Sequence, residues 1–152
     1  HVFHPYILKQ YNRRWFVFGH NITTGNKEWS FPLDERFIGF ETLVDETYIE
    51  SETDWFLFFR QMVGVRRTSL KVETVVLKFH NNREQYFKTK PFQPDYDFHE
   101  DKPSQVFFDA IINPELVQQI LSYGQDVEVL EPKELRDEMI IHSKGMEQYY
   151  VN

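Results

Sequence analysis

The chain has 152 residues, 41% apolar and 17% aromatic, with 15 Phe and 8 Tyr; this excludes global disorder and allows one ordinary domain or two small ones. It contains no cysteine, so disulfides and thiolate metal sites are excluded, and a reducing, cytoplasmic setting is expected. The formal charge of −7 argues against coating duplex DNA by bulk attraction, and no apolar run approaches the roughly 18 residues of a membrane span.

That charge is segregated. Residues 1–30 sum to +3, 31–60 to −6, 61–90 to +5 and 91–152 to −9. Two basic stretches therefore sit within an acidic protein. The sequence opens at His1 without a Met, already close to strand-like residues, so further sequence upstream is expected.

In chain order, residues 2–8 read as a strand entered through Pro5, which suits an edge or a strand start. The polar turn 10–13 leads into a strand over 14–20. Its alternation puts Trp15 and Val17 on a core face and Arg14, Phe16 and Phe18 on the other. Thr23-Thr24-Gly25-Asn26 marks a hairpin connection. Residues 27–32 return as a strand, and 37–43 read as another, with Phe40 and Leu43 apolar. Short strands at this spacing predict a small barrel of the Sm or SH3 type.

Residues 46–54 are acidic and polar, as a linker would be. Thr53-Asp54 can cap a short helix over 55–62, which Gly64 would end. A second unit starts with a strand over 70–79, carrying Val72, Val75, Leu77 and Phe79. After the turn His80-Asn81-Asn82, residues 85–90 are predicted to pair back as a strand. Residues 91–103 read as a loop and 105–112 as a third strand. Asn113 as N-cap, Pro114 at N1 and Glu115 in the first turn then announce a helix. Its apolar face is Leu116, Val117, Ile120 and Leu121, and Gly124 follows its end. Residues 127–130 make a fourth strand, and Pro132 opens a last helix over 133–141. The fold class is thus mainly β plus α+β: a barrel over 1–52, a linker with a short helix over 53–69, and a ferredoxin-like α+β domain over 70–152.

Trp15-Phe16-Val17 followed by Leu33-Asp34-Glu35-Arg36-Phe37 resembles the WYL domain, and His4-Pro5-Tyr6 to Leu8 is similar to that family's Pro-x-x-Leu lead-in. The family's central Tyr is Phe16 here, one residue is inserted before Arg36, and Trp29 departs from the family pattern. Asn113-Pro114-Glu115-Leu116, Ile120 to Gly124, Val127 to Pro132 and Leu135-Arg136 resemble the WCX extension that often follows WYL. The resemblance implies the effector module of a bacterial transcription regulator whose helix-turn-helix domain lies outside this sequence, and a first barrel strand that could lie upstream as well, leaving an exposed edge. It further implies that the WYL part senses a ligand, with single-stranded nucleic acid or a small anionic effector favoured, and that the WCX part supports a homodimer.

The candidate ligand-binding residues are Arg36, His4, Arg14, Phe16 and Lys9. An arginine fork recognises phosphate bidentately, which makes Arg36 the leading candidate; its competing role is an ion pair with Asp34 or Glu35. Phe16 offers a stacking face worth roughly 1–3 kcal/mol per base and shares its side of the strand with Arg14. His4 can donate to an anion, and Lys9 can reach the same groove. Arg13 reads as a solvated turn residue, and Arg66, Arg67 and Lys71 as a solvated hinge or a second basic patch.

Catalysis finds little support. The six histidines show no metal-ligand spacing, and there is no nucleophile elbow, P-loop or dinucleotide fingerprint. Asp95, Asp97, His99, Glu100 and Asp101 could be imagined around a divalent cation in a hydrolase, but they lack the glycine and terminal glutamate of a calcium loop. The expectation is a non-enzyme without cofactor or metal. The alternative to ligand sensing is a ligand-free dimerisation or protein-interaction module.

Overall fold

The computed structural model describes residues 1–151, and the chain divides into two units, His1–Phe58 and the residues from Phe59 onward. In the first unit β1 (Phe3–Tyr11), β2 (Arg14–Asn21) and β3 (Asn26–Pro32) form an antiparallel sheet in the order β1-β2-β3. β1 turns into β2 through Asn12 and Arg13, at φ 47° and 63°. Two positive φ values give a turn whose twist matches that of the flanking strands. The register sets Tyr11 against Arg14, Lys9 against Phe16 and His4 against His20, with an irregularity at Tyr6. In the next hairpin, Asn21 is fully buried and its Oδ1 accepts from the Thr24 N–H at 3.2 Å.

The apolar interior of this unit is small. Phe18 is almost fully buried, its ring 5.8 Å from that of Trp55 and 5.9 Å from that of Phe58. Both partners belong to α1 (Trp55–Arg60). That helix starts where sequence places it, with Asp54 Oδ1 accepting from the Leu57 N–H at 3.0 Å.

Two expectations for this unit are overturned. Among the described residues the sheet is open, so there is no closed barrel. Closure requires a last strand to pair back onto the sheet, and residues 37–43 form no strand. The chain turns instead, the Phe37 N–H donating to Asp34 O at 2.8 Å, and the Phe37 ring stacks on Phe31 at 5.7 Å. Trp15, expected in the core, is 48% exposed; Val17 takes the buried place on that face.

In the second unit β4 (Glu73–Phe79), α2 (Glu84–Thr89), β5 (Asp97–His99), β6 (Lys102–Ala110), α3 (Pro114–Leu121), β7 (Val127–Glu131) and α4 (Lys133–Glu147) follow in order. The strands make an antiparallel sheet ordered β5-β6-β4-β7. Every second residue of β4, namely Val75, Leu77 and Phe79, points inward, as strand alternation requires. They meet Val106 and Phe108 of β6, Phe87 of α2, Leu116 and Ile120 of α3 and Leu135 of α4 in one core.

The α3 signature holds in detail. Asn113 Oδ1 accepts from the Leu116 N–H at 2.8 Å, and Pro114 opens the helix. The Asn113 amide also donates to Val63 O at 2.8 Å and Arg66 O at 2.9 Å.

The segment 85–90, expected as a strand, is α2. Asn81 and Asn82 do adopt the paired positive φ of a hairpin turn, 53° and 58°. What decides the outcome is Phe87, fully buried among Phe79, Phe92, Tyr96 and Phe98; tertiary burial overrides the local aromatic preference for strand. The short strand β5 lies in what reads as a loop, and α4 runs to Glu147 rather than 141.

Candidate ligand-binding face

Alternation along β2 places Arg14, Phe16, Phe18 and His20 on one side of the first sheet. Lys9 lies directly opposite Phe16 and Tyr11 opposite Arg14. At the far edge Phe16 pairs with Pro32, and the Leu33 N–H donates to Trp15 O at 2.8 Å. The ladder thus runs one step beyond β3 and brings Asp34 level with Arg14.

Asp34 organises this end of the sheet. Its Oδ1 accepts from the Arg36 N–H at 3.1 Å and from Arg36 Nε at 2.9 Å, while its Oδ2 accepts from an Arg36 terminal nitrogen at 2.6 Å. The Asp34 side chain is largely covered, at 13% exposure; that of Arg36 is 68% exposed. The side-chain hydrogen bond from Arg36 holds the Asp34 carboxyl well below the usual carboxylate range, at about 2, and the Arg14 charge pulls in the same direction.

Four of the five sequence candidates therefore gather at one end of the sheet. Arg14 and Arg36 both bear on Asp34, Phe16 is one alternation step along from Arg14, and Lys9 stands across from Phe16. Arg14 is exposed, whereas Phe16 and Lys9 are half-buried. Chemically this is a cationic rim around a partly covered aromatic face. Arginine and lysine at such a rim have the chemistry to pair with an anion.

His4 stands apart, at the other end of the ladder opposite His20, about 20 Å along the strand from Arg14. It is buried, and its Nδ1 accepts from the Ile49 N–H at 3.2 Å. The neighbouring Tyr48 hydroxyl donates to Pro5 O at 3.0 Å. His4 thus anchors the segment that crosses over it.

Sequence reasoning missed Tyr11. The two-residue turn at Asn12-Arg13 would have found it, because such a turn fixes the register of the residues flanking it.

Of the other sequence candidates, Lys71 pairs with Glu73 at 3.0 Å, and the Arg66 backbone carbonyl accepts from the Asn113 amide. Asp95 pairs with Arg60 at 2.5 Å. Among the described residues no group of three or more His, Asp or Glu is placed to hold a metal ion. No helix there is long and apolar enough to cross a membrane.

The second unit, with its β-α-β-β-α-β-α order, has a recognisable counterpart. The family model of the WCX domain matches residues 71–146, half of the chain. The chain belongs to the WCX-domain family. A comparison with curated proteins finds no match. The WCX domain takes in every strand of the second sheet and all of α4 but its last residue. It is associated with regulators of the WYL type, which gives the chain a regulatory role in outline. The cationic face built on β1, β2 and Asp34–Arg36 lies outside the WCX domain, in the first unit.

Proposed function

We propose that this chain is the ligand-sensing module of a bacterial transcription regulator. The first unit is a WYL-type sensor, open rather than barrel-like, and the WCX domain is a ferredoxin-like α+β partner. The ligand is an extended anion, with single-stranded DNA favoured over a small anionic effector. Arg36 and Arg14 contact phosphate, Lys9 extends the cationic rim, and Phe16 offers part of its ring for stacking. The module is non-catalytic, works as a homodimer in the cytoplasm, and passes its state to a helix-turn-helix domain elsewhere in the full-length protein. Ligand binding then shifts the population of two dimer or domain arrangements, which sets operator affinity.

The observation that supports this reading most is the bidentate hold of Asp34 on Arg36, at the end of the sheet where Arg14 and Phe16 share a face and Lys9 stands opposite Phe16. Lys9 and Arg14 come from the stretch 1–30, which balances to +3 inside a chain of net charge −7. The test is fluorescence anisotropy of a labelled single-stranded oligonucleotide titrated with the protein across a salt series. Three cationic contacts predict a log–log salt slope of about −2, and Arg36→Ala should weaken binding about tenfold or more. Absence of binding in low salt would overturn the reading.

One observation favours the ligand-free interaction module instead: the Arg36 fork is already bonded by Asp34. Under that reading Arg36→Ala leaves every binding measurement unchanged, and the oligomeric state alone carries function.

A further inference from the structure

The way Asp34 holds Arg36 bears on what ligand this face can accept, an inference that rests on the anion-sensing reading of the first sheet. A guanidinium presents five N–H donors, and its bidentate edges are what match a carboxylate or a phosphate. In Arg36 the Nε edge is filled by both oxygens of Asp34. Asp34 is itself locked in place, since its Oδ1 also accepts the Arg36 backbone N–H and its side chain is mostly covered. The carboxylate therefore occupies one of the two edges that a phosphate could use, while the edge formed by the two terminal nitrogens stays on the exposed side of Arg36.

We infer that Asp34 is a built-in competitor for the Nε edge of Arg36, so that full engagement of the fork goes to a ligand carrying at least two adjacent anionic groups. A single anion that displaces Asp34 leaves that carboxylate without its partner and recovers one pairing for the one it broke. A phosphodiester strand places a second phosphate within reach of Arg14 as the first takes Arg36, and so gains a pairing that the resting state does not use for ligand. The device discriminates against inorganic phosphate, acetate and other lone anions that any bare arginine would collect. It favours a chain of phosphates.

Asp34→Asn is the direct test. An asparagine keeps Oδ1, so the turn through the Arg36 N–H can persist, but it removes the charge that holds the fork. Glu35→Gln is the matched control, because it changes net charge equally from the adjacent, exposed position. The probes are an oligothymidylate of about ten residues and inorganic phosphate, with circular dichroism to confirm folding. Asp34→Asn should bind the oligonucleotide roughly two- to fivefold more tightly than wild type, the range an exposed ion pair supplies. It should also respond to inorganic phosphate more strongly than wild type, while Glu35→Gln stays close to wild type.

Equal gains in the two variants would overturn the competitor role and leave a general charge effect. An unchanged Asp34→Asn alongside a weakened Arg36→Ala would also remove the competitor, while the anion-binding face survived. Oligonucleotide binding indifferent to Arg36→Ala, or absent from every variant, would remove the face and the competitor together.

Discussion

Gly19 passes beneath the His4 carbonyl with no space for a side chain. A Cβ at Gly19 would lie 2.0 Å from His4 O and 2.5 Å from the Phe3 ring. The β1–β2 ladder, which carries Lys9, Tyr11, Arg14 and Phe16 into register, depends on this approach. Gly19→Ala is therefore expected to cost about 3 kcal/mol or more, because backbone rather than a flexible side chain must give way. Chemical denaturation of the variant checks the magnitude. Increased hydrogen exchange should appear at β1 and β2 while the WCX-domain core keeps its protection.

Asn113 is expected to matter more than its polarity suggests. It caps α3 through Leu116 and satisfies the carbonyls of Val63 and Arg66 from a buried position. Asn113→Ala should destabilise by about 2–3 kcal/mol, a lost cap plus buried carbonyls left without donors. Asn113→Asp keeps the cap but cannot donate, so it should recover only part of that loss. Urea midpoints of the two variants decide the ranking.

Leu135, fully buried, joins α4 to the WCX core. Leu135→Ala should cost about 2–5 kcal/mol. Loss of amide protection along α4 at denaturant concentrations where β4 and β6 remain protected would show that the helix is released first.

The pH dependence of the Asp34–Arg36 contact has a definite sign. The Asp34 carboxyl titrates at about 2 in the fold, below its ordinary value of 3.8. A depressed carboxylate contributes stability that is fully present above its unfolded pKa and is lost as pH falls through the folded one. The stability it contributes should therefore be intact at pH 5, fall between about 4 and 2, and be gone below, while the carboxylate itself is half protonated near pH 2. Carboxyl-carbon NMR during an acid titration checks this, with an Asp34 midpoint at about 2. In Arg36→Ala its midpoint should move up toward 3.8.

Local chemistry made parts of this fold readable. The Asn113-Pro114-Glu115 start fixes α3 because cap, ring and first-turn charge all act within four residues. The alternation of Arg14, Phe16 and Phe18 put two of the candidates on one face for the same reason. What failed depends on distant partners. Residues 37–43 look strand-like, yet the chain turns at Asp34 and stacks Phe37 on Phe31 instead of pairing with an edge of the sheet. Residues 85–90 carry Tyr86 and Phe87 after an Asn-Asn turn, all hairpin signals, but burial of Phe87 among aromatics from three other segments demands a helix. Trp15 follows the correct alternation, but the face it shares with Val17 is only partly covered. The role of His4 was hidden because its partner, Ile49, is 45 residues away. The Asp34–Arg36 contact is the opposite case. A separation of two residues made an ion pair foreseeable, whereas its bidentate geometry and the proximity of Arg14 required the folded sheet.

The most direct measurement is a chemical-shift map of the isotope-labelled protein titrated with a short single-stranded oligonucleotide. Amide and guanidinium shifts should concentrate at Lys9, Arg14, Phe16, Asp34 and Arg36, and the signal of Arg36 Nε–H should change as Asp34 is displaced. Shifts confined to the WCX domain, or none at saturating oligonucleotide, would contradict a sensing face on the first sheet.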